Sequence, residues 1–115
     1  MLLRLDTADT RALHEQVAAA IRRAIAEGEC RAGDRLPSAR ALSTALDINV
    51  NTVLRGLREL RDEGLLEFRR GRGITVAEGA ARRSGLQIKV RELVAEASRL
   101  GYSPSDLIDM IRGPA

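Results

Sequence analysis

Leu36-Pro37-Ser38-Ala39-Arg40-Ala41-Leu42-Ser43-Thr44-Ala45-Leu46-Asp47-Ile48-Asn49-Val50-Asn51-Thr52-Val53-Leu54-Arg55 is the stretch whose reading decides the fold. Pro37 stops what precedes it, and Ser38 can accept a hydrogen bond from the free N–H groups of a following helix, so a short helix begins near Ala39. Leu42 and Leu46 sit four apart on one face, and the run ends at Asp47-Ile48. Asn49 is a second N-cap. The helix it opens sets Val53, Leu57, Leu60 and Gly64 along one stripe and Asn51, Arg55 and Arg58 along the opposite one.

A short helix, a tight connection and a second helix with amides and guanidinium groups near its start is the pattern of a helix-turn-helix. The chemistry suits a DNA major groove, where Asn pairs bidentately with adenine and Arg with guanine, while Thr52 and the helix-start N–H groups can hold a phosphate. After Gly64, two β-prone runs, Leu65 to Arg69 and Arg72 to Val76, flank Arg70-Gly71 and read as a hairpin with a basic tip, a wing. A charged helical stripe taken alone is usually a solvated face; the ordered conjunction of these pieces is what points to DNA.

The motifs Leu36-Pro37-Ser38-x-Arg40-x-Leu42, Asn51-Thr52-Val53, Glu63-Gly64-Leu65 and Arg70-Gly71-Arg72-Gly73 resemble the winged-helix domain of GntR-family transcription regulators. The form Asn49-Val50-Asn51-Thr52-Val53, with a short C-terminal tail, looks most like the YtrA-like subfamily. The resemblance covers roughly residues 3 to 77. Many family members carry Arg where this chain has Val50 and Leu54, and an aromatic where it has Thr75, so contacts at those positions do not transfer. The resemblance implies a bacterial DNA-binding regulator in which Arg40, Thr52 and Gly71 are the best-supported site residues. It also implies a helical dimerisation tail in place of a large ligand domain.

Upstream, the alternation of Leu3 and Leu5 fits a short strand or an extended arm, too soon interrupted for a signal peptide. A helix should start near Asp9 or Thr10, either of which can cap it, and run to Glu27 before Gly28. Its apolar face is Leu13, Val17, Ala20, Ile21, Ala24 and Ile25, with His14 one step off it, expected at a surface or interface. Cys30 precedes the turn at Gly33-Asp34 and is expected to act as a small buried hydrophobe; as the only Cys it rules out an internal disulfide.

Downstream, residues 78–85 lose periodicity, collect small and basic side chains, and read as a linker. Leu86, Val90, Leu93, Val94, Ala97 and Leu100 then recur at helical spacing up to Gly101. Ser103-Pro104-Ser105-Asp106 restarts a helix, with Ser103 as cap and Asp106 closing a capping box, and Leu107, Ile108 and Ile111 give its apolar side. That surface exceeds what thirty residues can bury against themselves. It either folds back on its own first domain or meets a second copy of the chain, and symmetric dimers are the commonest oligomers.

The whole chain has 115 residues, with 19 Lys and Arg against 16 Asp and Glu, a net charge of +3. That is too modest to announce nucleic acid, but its placement is informative: between Arg31 and Val76 there are nine Arg against six acids. All basic residues except Lys89 are Arg, which suits bidentate pairing and is equally explained by high genomic G+C content. Aromatic residues are only 2% of the chain, so the core must be aliphatic, and stacking platforms for exposed RNA bases are lacking. One His, one Cys and one Tyr, widely separated, offer no catalytic or metal-binding constellation. No cofactor or metal is expected, and no window approaches the roughly 18 apolar residues of a membrane span.

The expected fold is therefore mainly α. It is a winged helix-turn-helix of three helices plus a small β-hairpin wing over residues 1–77, the linker 78–85, and a helical hairpin for dimerisation over residues 86–115. The expected function is a cytoplasmic homodimeric regulator, a repressor reading an inverted-repeat operator in double-stranded DNA. Asn51 and Arg55 are assigned to bases, with Arg58 a turn further along. Arg40 goes to backbone or an adjacent base, Ser38 and Thr52 to phosphate, and Arg70, Gly71 and Arg72 to the minor groove. Any small-molecule effector would have to bind at an interdomain or dimer interface. The alternative is a winged helix serving as a protein-interaction module without sequence-specific DNA binding.

Overall fold

Local capping chemistry sets most of the helix boundaries in the computed structural model, which describes residues 3–5, 8–9 and 11–114. The order is α1 (Leu13–Ala26), α2 (Ala39–Leu46), α3 (Val50–Asp62), β1 (Leu66–Arg69), β2 (Gly73–Val76), α4 (Ala80–Arg99) and α5 (Pro104–Arg112). Ser38 caps α2 by accepting from the Ala41 N–H at 3.0 Å, and Asn49 caps α3 by accepting from the Asn51 N–H at 2.7 Å. Between them Asp47 turns the chain through a left-handed conformation, φ 55°, and the Ile48 N–H donates to the Ser43 carbonyl.

Helix α1 begins later than its candidate caps suggest. Its N-cap position is Ala12, with no side-chain cap. Asp9 is engaged elsewhere: its carboxylate accepts from the Arg11 guanidinium and from the Arg11 backbone N–H. Those two interactions, the side-chain bond first, hold its carboxyl below the usual carboxylate range. Thr10 lies outside the described residues, as do Met1, Leu2 and Asp6 of the expected arm; Leu3 and Leu5 have no regular structure and pack half-buried on the core.

Val17, Ile21 and Ile25 of α1 meet Val53, Leu57 and Leu60 of α3, and Leu65 closes the group; all are fully buried. Burying each such side chain contributes about 1.5–3 kcal/mol before entropy is counted. Leu13, expected on the same face, is exposed because it stands at the helix start. Cys30 is buried, and burial pushes its thiol above its ordinary value, which suits a packing residue rather than a reactive one. His14 is half-buried, and its Nδ1 has no hydrogen-bond partner among the described residues.

Gly56 lets α1 and α3 approach this closely. A Cβ there would lie 2.9 Å from the His14 carbonyl oxygen and 3.2 Å from the Val17 Cβ. Alanine is the better helix former by about 1 kcal/mol, yet here it would strike main chain that cannot swing aside. Gly56→Ala is expected to destabilise the fold by about 1–3 kcal/mol, read as a lower midpoint in urea.

β1 and β2 pair antiparallel, with Leu66 opposite Val76 and Arg69 opposite Gly73. Residues 33–36 extend the hairpin on its other edge. Arg35 forms an isolated bridge with Thr75, the Leu36 N–H donates to the Ile74 carbonyl at 2.8 Å, and the Val76 N–H donates to the Asp34 carbonyl at 2.9 Å. The wing is thereby fastened to the chain that leads into α2.

The linker expected over residues 78–85 is helical from Ala80 onward. Small side chains there dock instead of flexing: Ala80 and Ser84 are buried, and the Ser84 hydroxyl donates to the Arg22 carbonyl. Arg83 donates to the Gly64 carbonyl at 3.3 Å. Arg22 is itself a buried charge, 3% exposed in its side chain, gripping Glu63 with Nη2 to Oε1 at 2.8 Å and Nε to Oε2 at 3.2 Å. Three segments, α1, the end of α3 and the start of α4, thus converge on one ion pair.

Met1–Gly85 forms one compact unit and Leu86–Ala115 another. In the second unit Gly101, φ 89°, ends α4, and the Tyr102 N–H donates back to the Ala97 carbonyl at 2.8 Å. A full capping box opens α5: the Asp106 N–H donates to Ser103 Oγ and the Ser103 N–H to Asp106 Oδ2. No residue of α5 is buried. Among the described residues no helix is long and apolar enough to cross a membrane, and no group of His, Cys, Asp and Glu could hold a metal ion.

Candidate nucleic-acid interface

The buried stripe of α3 faces α1, so its other side is left to solvent. Asn51, Arg55 and Arg58 are all exposed on that side, while Thr52 is half-buried. The three-residue connection 47–49 keeps α2 short of α3 and leaves the α3 N-terminus open. Asn49 uses its side-chain oxygen on the Asn51 backbone N–H, and Asn51 itself is exposed. In α2, Ser38 spends its acceptor on the Ala41 N–H but keeps a hydroxyl proton to donate, and Arg40 is exposed in the first turn.

The arginines sort by partner. Arg69 pairs with Glu67, Arg61 with Asp62, Arg23 with Glu27, Arg22 with Glu63 and Arg11 with Asp9. Arg61 also lies over the Phe68 ring, 5.0 Å from its centroid, a cation–π contact that covers one side of the wing's only aromatic. Arg40, Arg55, Arg58, Arg70 and Arg72 carry no ion pair among the described residues and are exposed. Their charge is not cancelled locally, which is what a polyanion requires. Arg70, Gly71 and Arg72 form the turn of the wing, and Gly71, φ 79°, supplies a left-handed conformation with open space around it.

The exposed tail residues are Leu86, Val90, Leu93, Leu100, Ile108 and Ile111; Val94 and Leu107 are half-buried. Ala97 is already buried within the single chain, where the capping return of Tyr102 closes over it. Met110, three residues after Leu107, is a further exposed apolar residue of α5. A shallow cavity of about 180 Å³ beside the wing is bounded by Gly33, Glu67, Arg69, Arg72, Thr75 and Glu78. Its lining is of mixed charge, and Glu67 is already paired with Arg69.

Residues 13–76, more than half of the 115, match the family model described as bacterial regulatory proteins, gntR family. The HTH-type transcriptional repressor YtrA of Bacillus subtilis is 27% identical over 96% of this chain and 90% of its own length. YtrA from Sulfolobus acidocaldarius, a GntR-family transcription factor of known structure, superposes with a TM-score of 0.64 at 31% identity, covering 81% of this chain and 98% of that one. The DNA-binding domain of AraR, solved in complex with operator ORE1, shares the fold at a TM-score of 0.57 and 22% identity, over 67% of this chain and 94% of that domain.

Proposed function

The chain belongs to the gntR family of bacterial regulatory proteins, transcription regulators with a DNA-binding winged helix-turn-helix, and from that premise we propose that it works in the cytoplasm as a homodimeric repressor on an inverted-repeat operator. The observation that carries this reading is the solvent face of α3, where Asn51, Arg55 and Arg58 stand exposed with, among the described residues, no acid paired to either guanidinium. Asn51 and Arg55, in the first two turns, are assigned to base edges, with Arg58 beyond them. Ser38 and Thr52 hold phosphate, Arg40 reaches backbone or an adjacent base, and Arg70, Gly71 and Arg72 carry the wing to the minor groove.

The second unit supports the dimer. Helix α5 has nine residues, none buried, too few to be stable alone in water without a surface to cover it. A second copy of the same tail offers a self-complementary apolar face, and a two-fold arrangement sets two recognition helices about one helical turn apart on DNA.

Selection from random duplex DNA at ~0.15 M salt, where non-specific binding is weakened, tests the reading. An enriched two-fold-symmetric site is expected; a folded protein that enriches nothing would overturn it. On the selected site, Arg55→Ala is expected to cost about 1–3 kcal/mol and to relax preference at a single base pair. Competition with single-base variants of the site measures both effects.

A further inference from the structure

Arg35 is exposed and stands where the wing joins the approach to α2. Its backbone bridges Thr75 of β2, and three residues later Ser38 caps α2. Its guanidinium lies against the backbone of Gly73, where a Cβ would come within 3.1 Å of Nε and 3.3 Å of Nη2. Gly73 has φ 74° and pairs with Arg69 at the base of the wing turn. Among the described residues no carboxylate pairs with Arg35, although Arg69, opposite Gly73 in the hairpin, is paired with Glu67. The chain therefore presents an unpaired, always-charged fork where the wing joins the approach to α2, and keeps a glycine beside it.

We propose that Arg35 binds a DNA phosphate at the junction of the wing and the α2 N-terminus. The inference rests on the DNA-binding reading above. Two elements that approach the duplex from different sides leave a strand of backbone running between them, and a guanidinium there can donate two N–H groups to one phosphate. Such a contact fixes where the wing lies relative to the recognition helix and carries no base preference of its own. Gly73 serves it by leaving room for the guanidinium along the hairpin backbone.

The distinguishing property of a phosphate contact is its salt dependence. With the full-length protein, binding to the selected site and to random-sequence duplex DNA is measured across a series of salt concentrations for wild type, Arg35→Gln and Arg35→Lys. Arg35→Gln is expected to weaken both DNAs by the same factor and to flatten the log–log salt slope by about 0.9 per protomer, whereas Arg35→Lys keeps the wild-type slope. Circular dichroism and melting of Arg35→Gln should match wild type, because the side chain supports no ion pair. Wild-type binding together with an unchanged slope for Arg35→Gln would overturn the inference and leave the DNA-binding reading standing. A wild-type protein with no salt-dependent affinity for either DNA would overturn both.

Discussion

Glu63→Ala is expected to destabilise the first unit by about 3–5 kcal/mol, the cost of leaving a buried charge without its partner. The charge left behind is Arg22, whose side chain is 3% exposed and whose guanidinium meets both oxygens of Glu63. It cannot reach water without leaving the core. A loss of this size compares with the whole stability of a small domain, about 5–15 kcal/mol. Urea unfolding followed by circular dichroism should show a large drop in midpoint or a chain already unfolded. The double replacement Arg22→Met with Glu63→Leu should recover much of the loss, since an apolar pair of similar volume has no charge to strand. If Glu63→Ala alone stayed within ~1 kcal/mol of wild type, the pair would be one of the near-neutral kind found at surfaces.

Replacing Leu93, Leu100 and Ile111 together with Glu should separate the proposed dimer while leaving each chain folded. The three side chains are 47%, 70% and 78% exposed, so a charge at these places costs the isolated chain little. Across a self-complementary apolar interface the same charges would be desolvated against their own copies. Sedimentation should change from dimer to monomer with the helical content of the first unit kept. Loss of the second reading head should lower operator affinity by about 10²–10⁴-fold, the scale on which two linked sites exceed one. A triple variant that still sediments as a dimer would remove the assigned role of the tail.

Much of the reading head was legible because its signals are local. Ser38 and Asn49 cap the helices they were expected to cap, and the apolar stripe of α3 is the buried one. The exposed placement of Arg55 and Arg58 follows from the same periodicity. Where the reading fell short, a partner distant in sequence decided the outcome. Residues 80–85 looked like a linker because their side chains are small, but smallness is what lets Ser84 reach the Arg22 carbonyl, 62 residues away. Arg22 stands four after Ala18 and three before Ile25, within the apolar stripe of α1, and that misplaced charge was a usable sign of a buried ion pair. Gly56, three after Val53 and four before Leu60, was likewise a visible mark of close helix contact. The bridge from Arg35 to Thr75 had no such mark, since it is made by main chain alone.

Tyr102, half exposed at the corner between α4 and α5, is the chain's only tyrosine, and there is no tryptophan. Tyrosine emission therefore comes from one residue, and it sits in the second unit, outside residues 13–76. In the proposed dimer its emission and anisotropy are expected to follow association of the tails as protein concentration is varied, and to be nearly silent to unfolding confined to residues 13–76. Thermal melts watched by tyrosine light and by helical dichroism should consequently part company whenever the two units lose their structure at different temperatures.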